Sequence, residues 1–270
     1  MRFGISVANF ARYADPELIV RWAGLAETSS WDGFFLWDHI AVAEGWDHSD
    51  PWVELGAIAQ VTDRIAIGPM VTPLPRRRPW VVARQATTVD HLSGGRLILG
   101  VGIGNPPEEE FGRFGEPTDD RERADLLDEG LEILKGMWSG EPYSHSGEHL
   151  SVARSTFGPT PVQQPTIPIW VAAMWPNRRP MRRAARFEGV FPFKMGTWSV
   201  DEVLHLASIM NDFRGDLEGF DLVISGSFLD GSEFGGEYAD AGATWYLAVP
   251  RPGDTVDDVE AAIRRGPSAQ

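Results

Sequence analysis

The sequence predicts a single-domain α/β protein of the (β/α)8 TIM-barrel class. Short apolar, β-branched or aromatic runs alternate eight times with segments of helical periodicity along the 270 residues. Dividing the length by eight gives about 34 residues per repeat, close to the roughly 30 residues of a strand–helix unit. The strand-like runs are apolar on consecutive residues, which is typical of parallel strands buried on both faces. Eight such units without a second domain favour one barrel over residues 1–270 rather than a doubly wound open sheet.

The elements are predicted in chain order from these patterns. Asp15 is a plausible N-cap of the first helix, because Pro16 follows it at the first helical position. A stretch rich in Gly and Pro, residues 139–168, is predicted as a loop or hairpin insertion between helix four and strand five. The predicted strands are residues 3–7, 33–37, 65–68, 97–101, 169–172, 189–191, 220–224 and 244–247. The predicted helices are residues 15–28, 50–61, 79–93, 121–138, 180–186, 200–213, 237–241 and 256–265.

Composition and charge exclude several classes of partner and chemistry. With 24 Lys and Arg against 39 Asp and Glu, the net charge is −15, so the surface should repel nucleic acid and anionic membranes. The absence of cysteine excludes disulfides, thiolate nucleophiles, Cys-ligated zinc and iron–sulfur clusters. The N-terminus is predicted as a strand and a polar turn rather than a signal peptide, and no apolar run approaches the roughly 18 residues of a bilayer span. We therefore expect a cytoplasmic protein.

In a TIM barrel, the chemistry lies where strands end and the loops to the following helices begin. This rule selects candidate positions without further information. The selected residues are Asn9, Phe10, Asp38, His39, 69–73, 102–105, 173–179, Pro192, Phe193 and Gly226.

The most informative of these motifs is Trp37-Asp38-His39. Histidine is the usual proton donor or acceptor near neutral pH, and a neighbouring carboxylate can fix its tautomer. Adjacent side chains of a strand point to opposite faces, so Asp38 and His39 need not touch each other and one can be structural. We predict His39 and Asp38 as the catalytic residues, against the alternative of an ordinary loop histidine.

The Gly100-x-Gly102-x-Gly104 pattern is not interpreted as a dinucleotide fingerprint. That fingerprint requires a helix immediately afterwards, with the phosphate at its N-terminus. Here Asn105 begins a rigid turn that leads into three glutamates, 108–110, which would repel a pyrophosphate. The small residues are instead expected to let a flat ring lie close to the backbone.

Two arginine clusters follow strand ends. The segment 174–180 contains Arg178 and joins strand five to its helix, so its backbone N–H groups and guanidinium groups could hold a phosphate; a solvated basic loop is the alternative. Arg76, Arg77 and Arg78 are expected to form a solvated surface or a subunit contact; the alternative is a role in screening the site's entrance or binding an anionic substrate.

No metal site is predicted. His145 and His149 have metal-like spacing but lie in the predicted hairpin, where a structural role is expected. The acidic and histidine-containing segment 44–50 is interpreted as a mobile loop. His91 and His205 fall on helices and are expected to be non-catalytic.

Five segments together resemble the bacterial luciferase-like family of flavin-dependent oxidoreductases and monooxygenases. The resemblance runs along nearly the whole chain, and the Leu-Ser-Gly-Gly-Arg-Leu run is its most characteristic part. The segments are residues 33–39 (GFFLWDH), 87–97 (TTVDHLSGGRL), 100–104 (GVGIG), 168–172 (PIWVA) and 241–245 (AGATW).

The resemblance implies a TIM barrel that binds FMN or the deazaflavin coenzyme F420 at its carboxyl face. It implies that His39 is the cofactor-side histidine, that Thr72 lies at a strained bulge supporting the ring, and that 172–175 contacts the phosphate. Some deazaflavin-dependent members carry a catalytic Glu where this chain has Asn105. The expected cofactor contacts are Asn9, His39, Thr72, Gly102, Gly104, Asn105, Ala172, Ala173, Met174, Trp175 and Arg178.

These observations predict an oxidoreductase that uses reduced FMN or F420 on a small organic substrate. The reaction would be hydride transfer or, with FMN, oxygen activation for monooxygenation. A homodimer is expected from the family. Two alternatives stay open: a hydrolase or lyase on the same barrel that uses Asp38 and His39 as acid and base, and a non-catalytic flavin-binding protein.

Overall fold

The computed structural model describes residues 1–251 and 253–267, and of 229–234 it describes only the backbone. Strands and helices alternate along these residues. The strands are β1 Arg2–Val7, β2 Gly33–Leu36, β3 Ala66–Pro69, β4 Thr72–Pro73, β5 Leu99–Gly102, β6 Tyr143–Ser146, β7 Ser151–Ser155, β8 Ile169–Met174, β9 Gly189–Phe193, β10 Asp221–Gly226 and β11 Trp245–Ala248. The helices are α1 Pro16–Thr28, α2 Pro51–Val61, α3 Pro79–Ser93, α4 Pro107–Glu110, α5 Asp120–Trp138, α6 Arg178–Ala184, α7 Val200–Arg214, α8 Phe228–Asp240 and α9 Val256–Arg265.

The central sheet is parallel and has the strand order β3-β2-β1-β11-β10-β9-β8-β5-β4. β3 and β4 are two parts of one barrel strand, separated by Met70 and Val71, whose peptide bond is cis. The ring closes between β3 and the residues before β5, where the Ile98 N–H donates to the Ile67 carbonyl at 2.9 Å. The closure gives eight barrel strands, and the predicted TIM barrel is confirmed.

The close contact between β3 and β5 depends on a glycine. A Cβ on Gly68 would lie 1.9 Å from the carbonyl oxygen of Ile98, so no larger residue fits without moving the backbone. A cluster of large side chains fills the barrel interior, with the ring centroids of Trp170 and Trp245 5.3 Å apart. The cluster consists of Phe35, Met70, Ile98, Trp170, Phe191, Val223, Trp245 and Leu247. In a TIM barrel the candidate site lies at the carboxyl ends of the strands, and this opening is called the barrel mouth below.

Helix starts are encoded locally. Asp15 accepts hydrogen bonds from the backbone N–H groups of Glu17 and Leu18, and Asp50 caps α2 in the same way. In both helices proline occupies the first helical position, where its missing N–H costs no hydrogen bond. The predicted bounds of α1 and α9 agree with the structure.

Two predicted elements are wrong in extent. The helix predicted at 237–241 is α8, which spans Phe228–Asp240; Gly231, Gly235 and Gly236 are poor helix formers and obscured its pattern. The strand predicted at 169–172 is β8, which runs on through Met174 because its pairing with β9 continues to Phe193. Between α5 and β8, β6 and β7 form an antiparallel hairpin. Among the described residues, no helix has the length and apolarity to cross a bilayer.

Candidate active site at the barrel mouth

Asn9 joins the loops that follow β1 and β2. Its side chain is fully buried, and its Nδ2 donates to the carbonyls of His39 at 2.8 Å and Ser49 at 2.7 Å. Its Oδ1 accepts the His39 N–H at 3.0 Å. Because both amide hydrogens are used, Asn9 fixes the backbone at His39.

His39 lies at the barrel mouth with 19% of its side chain exposed. Its Nδ1 is buried and lies 3.3 Å from Oε1 of Glu110, a close polar contact that is not a well-directed hydrogen bond. The ring also packs edge-on against Phe10, with the centroids 5.4 Å apart. Because Nδ1 is buried, it is not available to a ligand. Nε2 is therefore the ring nitrogen that could contact one.

Glu110, the last residue of α4, reaches from the β5 loop to the β2 loop. Its carboxylate accepts the N–H groups of Ile40 at 3.2 Å and Ala41 at 2.9 Å, and it forms an ion pair with Arg76. Burial alone raises the pKa of Glu110, but the contact with His39, the Ala41 N–H and the charges of His39 and Arg76 outweigh it and lower the pKa to about 2. Glu110 is therefore a carboxylate throughout the physiological range.

Asp38 is not the partner of His39. Its buried Oδ1 accepts from Nη2 of Arg76 at 3.1 Å and from Nη2 of Arg77 at 2.7 Å, and its Oδ2 has no hydrogen-bond partner among the described residues. The expectation that Arg76 and Arg77 lie on a solvated surface is wrong, since their side chains are largely buried in this network. The 3-10 turn Leu74–Arg76 directs them inward, whereas Arg78 is exposed.

Phe10 is the centre of an aromatic cluster beside His39. Its ring stacks on Trp46 with the centroids 5.5 Å apart and also contacts Trp37 and His48. Backbone bonds from Ala11 to Asp47 and from Ser49 to Asn9 hold the β2–α2 loop over it. Trp46 is half exposed and joins this cluster through Phe10, whose ring also contacts His39.

The wall formed by β4 and β5 contains Thr72, Gly102 and Gly104. Thr72 is fully buried, and its Oγ1 has no hydrogen-bond partner among the described residues. Gly104 has φ +84, and a Cβ there would lie 2.6 Å from the ring of Phe111. A Cβ on Gly102 would lie 3.1 Å from Val71, so both glycines accommodate neighbouring protein atoms.

Phe111 fixes the loop after β5. Its ring is buried, and two arginines lie close to it. The guanidinium carbon of Arg123 lies 4.7 Å from the ring centroid, and that of Arg76 lies 5.9 Å from it. Arg123 is fully buried, and its Nη1 donates to the carbonyl of Gly104 at 2.7 Å. Asn105, next in the chain, is exposed.

The last three residues of β8 and the residue after it face different parts of the structure. Ala172 packs toward the barrel interior and Ala173 toward the helices, while Met174 is half exposed at the mouth. Trp175 packs against Trp198 and His205, with ring centroids 5.3 and 5.6 Å apart. These contacts place the Trp175 ring against the segment from β9 to α7.

Arg178 lies on the same side as the Trp175 ring. Its guanidinium is 3.8 Å from the Asp212 carboxylate and 5.2 Å from the ring centroid of Phe213, both near the end of α7. The side chain is about half exposed. Arg178 is thus directed toward the outer helices in this conformation.

The two histidines with metal-like spacing do not converge. His145 contacts Tyr143 at 3.3 Å and Glu129 at 3.4 Å, while the backbone N–H of His149 donates to Glu129. Within residues 1–251 and 253–267, no group of three or more His, Asp or Glu side chains is arranged to hold a metal ion.

Comparison with known proteins decides the family. The family model described as luciferase-like monooxygenase matches residues 1–200, which is most of the chain. The chain belongs to the luciferase-like monooxygenase family. The resemblance expected from the five sequence segments is thereby confirmed.

Relatives of this luciferase-like chain differ in coenzyme. An F420-dependent glucose-6-phosphate dehydrogenase from Microbacterium testaceum is 32% identical over 184 residues, covering 65% of this chain and 52% of that protein. The oxygenase component of a flavin-dependent trigonelline monooxygenase from Acinetobacter baylyi is 29% identical over 172 residues, covering 63% and 47%. The chain thus spans about half the length of these curated relatives.

The structural likeness covers nearly the whole chain. The coenzyme F420-dependent tetrahydromethanopterin reductase from Methanopyrus kandleri superposes with a TM-score of 0.79 at 17% identity, covering 98% of this chain and 96% of that one. At this identity the likeness establishes the fold.

Sequence reasoning missed how this family member surrounds His39. The pairing of Glu110 with His39, the burial of Arg76 and Arg77, and the role of Arg123 come only from the structure. The one available signal was a run of three glutamates shortly after the glycine-rich turn, and nothing in that run distinguished Glu110 from Glu108 and Glu109.

Proposed function

We propose that this chain is an oxidoreductase that binds reduced FMN or coenzyme F420 at the barrel mouth and acts on a small organic substrate. The observation that carries the proposal is His39, which is partly exposed at the mouth and backed by the buried residues Asn9, Glu110, Arg76 and Asp38. The names of the curated relatives include both F420-dependent and flavin-dependent enzymes, which supports a coenzyme of this type without choosing between the two.

The residues at the mouth fit a flat, partly apolar ring. Binding sites for such ligands are mostly apolar with a few polar groups that fix orientation. The buried Oγ1 of Thr72 offers an unused polar atom in the wall. Exposed apolar side chains lie on two opposite sides of the barrel mouth. One group follows β2, and the other lies at the ends of β8 and β9. They are Ile40, Trp46, Met174, Phe193 and Met195.

The protein's own contribution is to hold and move protons and to exclude water. The bound coenzyme would supply the electron chemistry, by hydride transfer or, for FMN, by oxygen activation. His39 would exchange a proton through Nε2, because its Nδ1 is buried against Glu110. Asp38 would act through Arg76 and Arg77 as a positioning residue.

The hydrolase or lyase alternative receives less support. It requires Asp38 to exchange protons with a substrate, yet that carboxylate is fully buried and bound by two guanidinium groups. The third possibility is a non-catalytic flavin-binding protein. It would bind a coenzyme but show no turnover, which distinguishes it from an oxidoreductase.

Cofactor binding is the decisive experiment. Purified protein is titrated against FMN and F420, each oxidised and anaerobically reduced, and coenzyme fluorescence and oxygen consumption are recorded. We expect quenching by at least one coenzyme and its loss, or loss of turnover, in His39→Ala. His149→Ala is the matched control and should behave as wild type. Failure of both coenzymes to respond would refute the proposal, and tight binding without turnover would support a sequestering protein.

Phosphate binding by Arg178 is tested separately. FMN and riboflavin affinities are compared in wild type and in Arg178→Ala, with Arg154→Ala, an exposed arginine on β7, as the control. A role in binding phosphate predicts weaker FMN binding and unchanged riboflavin binding. Equal effects on both ligands would remove Arg178 from the site.

A further inference from the structure

Glu110 is the polar partner of the buried ring nitrogen of His39. The carboxylate is 1% exposed, and the separation between Nδ1 and Oε1 is 3.3 Å. The N–H groups of Ile40 and Ala41 donate to the same carboxylate, so it is fixed relative to the loop that carries His39. Arg76 forms an ion pair with the other carboxylate oxygen, Oε2. Glu110 therefore cannot turn away from His39 without losing several charge-assisted contacts.

Two polar side chains close to His39 in the sequence make hydrogen bonds to other residues, although Oδ2 of Asp38 has no partner among the described residues. The Asp38 carboxylate, its sequence neighbour, accepts from Arg76 and Arg77. The Nε1 of Trp37 donates to the Oγ of Ser6 at 3.0 Å. Because Nδ1 is buried, water does not compete with Glu110 for it.

An ionised carboxylate accepts hydrogen bonds and donates none. The network gives Glu110 a pKa of about 2, so at neutral pH it faces Nδ1 as an acceptor only. In a neutral imidazole one nitrogen carries the proton and the other the lone pair, and the partner of one nitrogen selects the tautomer.

We propose that Glu110 is a positioning residue that keeps the proton of neutral His39 on Nδ1, so that Nε2 carries the lone pair presented to the barrel mouth. The inference deepens the proposed function and rests on it for its catalytic meaning. It assigns His39 a direction of proton transfer: neutral His39 accepts a proton at Nε2, and the imidazolium returns it from the same atom. Glu110 itself remains a carboxylate and exchanges no proton.

The tautomer can be measured without coenzyme or substrate. The chain has six histidines, so ring-¹⁵N NMR of histidine-labelled protein gives a simple spectrum, and His39→Ala assigns the His39 signals. At a pH where His39 is neutral, we expect the Nδ1–H form to predominate in wild type. In Glu110→Gln the amide has a donor as well as an acceptor, and the ratio of Nδ1–H to Nε2–H should fall about tenfold.

Glu108→Gln is the matched control, because Glu108 lies on the same helix and is exposed. Its spectrum should equal that of wild type. An Nε2–H tautomer in wild type, or an unchanged ratio in a folded Glu110→Gln, would overturn the inference. If Glu110→Gln does not fold, the wild-type spectrum alone decides. Coenzyme titration is separate: a protein that binds neither coenzyme refutes the proposed function whatever the tautomer is.

A kinetic measurement separates positioning from simple stability. Once a coenzyme and substrate are in hand, Glu110→Gln should lower kcat while the coenzyme Kd changes little. Equal losses in both, with the tautomer unchanged, would indicate a purely structural role and contradict the inference.

Discussion

Two buried glutamates in this chain have opposite electrostatics. Glu110, at the barrel mouth, is 1% exposed and has the guanidinium of Arg76, two backbone N–H groups and His39 around it. Glu54, on α2, is 2% exposed, and neither of its carboxylate oxygens has a well-formed hydrogen bond to a described residue. The pKa of Glu54 is raised to about 7: burial raises it most, Ser49 lowers it, and the charges of Asp50 and Asp15 raise it.

The difference teaches that partners, not burial, decide the charge state of a buried carboxyl group. It also gives the two regions opposite dependences on pH. Glu110 has a depressed pKa, so its stabilisation is present above pH 4.5 and is lost as the pH falls toward 2. Glu54 keeps its proton in the folded state while the unfolded chain ionises, so stability falls as the pH rises from 4.5 to 7.

The largest effect is expected from Arg76→Met. The substitution leaves the buried carboxylates of Asp38 and Glu110 without their shared guanidinium, and breaking a buried pair in this way costs about 3–5 kcal/mol. The free energy of unfolding is measured with denaturant at pH 7. Arg78→Met, at the exposed neighbouring position, should change it little. A loss below about 1 kcal/mol in Arg76→Met would mean that the network contributes no net stability.

Acid titration of stability tests Glu110 directly. A fall in pKa from 4.5 to about 2 corresponds to roughly 3 kcal/mol of stabilisation at neutral pH. Wild type should lose this contribution between pH 4.5 and 2, and Glu110→Gln should lack that part of the pH dependence. Glu108→Gln keeps the wild-type profile if the contribution belongs to Glu110. Parallel profiles for wild type and Glu110→Gln would contradict the assignment.

Glu54→Gln should act in the opposite direction. At pH 8 the variant avoids ionising a buried group, so it should be more stable than wild type by roughly 1–3 kcal/mol. The gain is limited because the buried amide still has unpaired polar atoms. At pH 4, where wild-type Glu54 is protonated in the folded state and mostly protonated in the unfolded chain, most of the gain should vanish. Chemical denaturation at the two pH values measures both quantities. A gain of equal size at both would attribute the effect to packing.

The smallest effect is expected from Asp50→Asn. Asparagine caps a helix about as well as aspartate, so α2 should keep its N-terminus while one negative charge near Glu54 disappears. The pKa of Glu54 should fall slightly, because Asp50 raises it. The pH-dependent loss of stability, which runs from pH 4.5 up to the folded pKa, should therefore end at a slightly lower pH and be slightly smaller. The control is Asp50→Asn introduced into Glu54→Gln. In that background Asp50 has no ionisable Glu54 to act on, so the substitution should not change the pH dependence of stability.

Local signals in the sequence predicted most of the fold. The Asp15-Pro16 and Asp50-Pro51 pairs define helix starts through capping, which depends on neighbouring residues alone. Runs of consecutive apolar residues predicted the barrel strands, because this pattern is also read from neighbouring residues alone. The ends of β8 and β9 were not predicted, because they depend on pairing between two strands rather than on either one.

The candidate site was predicted only in part. The strand-end rule found His39 and Asn9, but not the network that orients them. That network joins Asp38, Arg76 and Glu110, which lie far apart in the chain, and its geometry depends on a 3-10 turn and a one-turn helix. Three consecutive arginines looked equivalent in sequence, and only the folded chain separates the buried Arg76 and Arg77 from the exposed Arg78.

The attachment of α4 divides the barrel mouth into two unequal halves. Through Glu110 and Phe111, this short segment ties together the loops after β2, β4 and β5, so that half resists rearrangement. Across the opening, Met174 and Phe193 are exposed neighbours at the ends of β8 and β9. Libraries of variants intended to broaden the range of accepted molecules should therefore be built on the β8–β9 side, where side chains can change without disturbing His39.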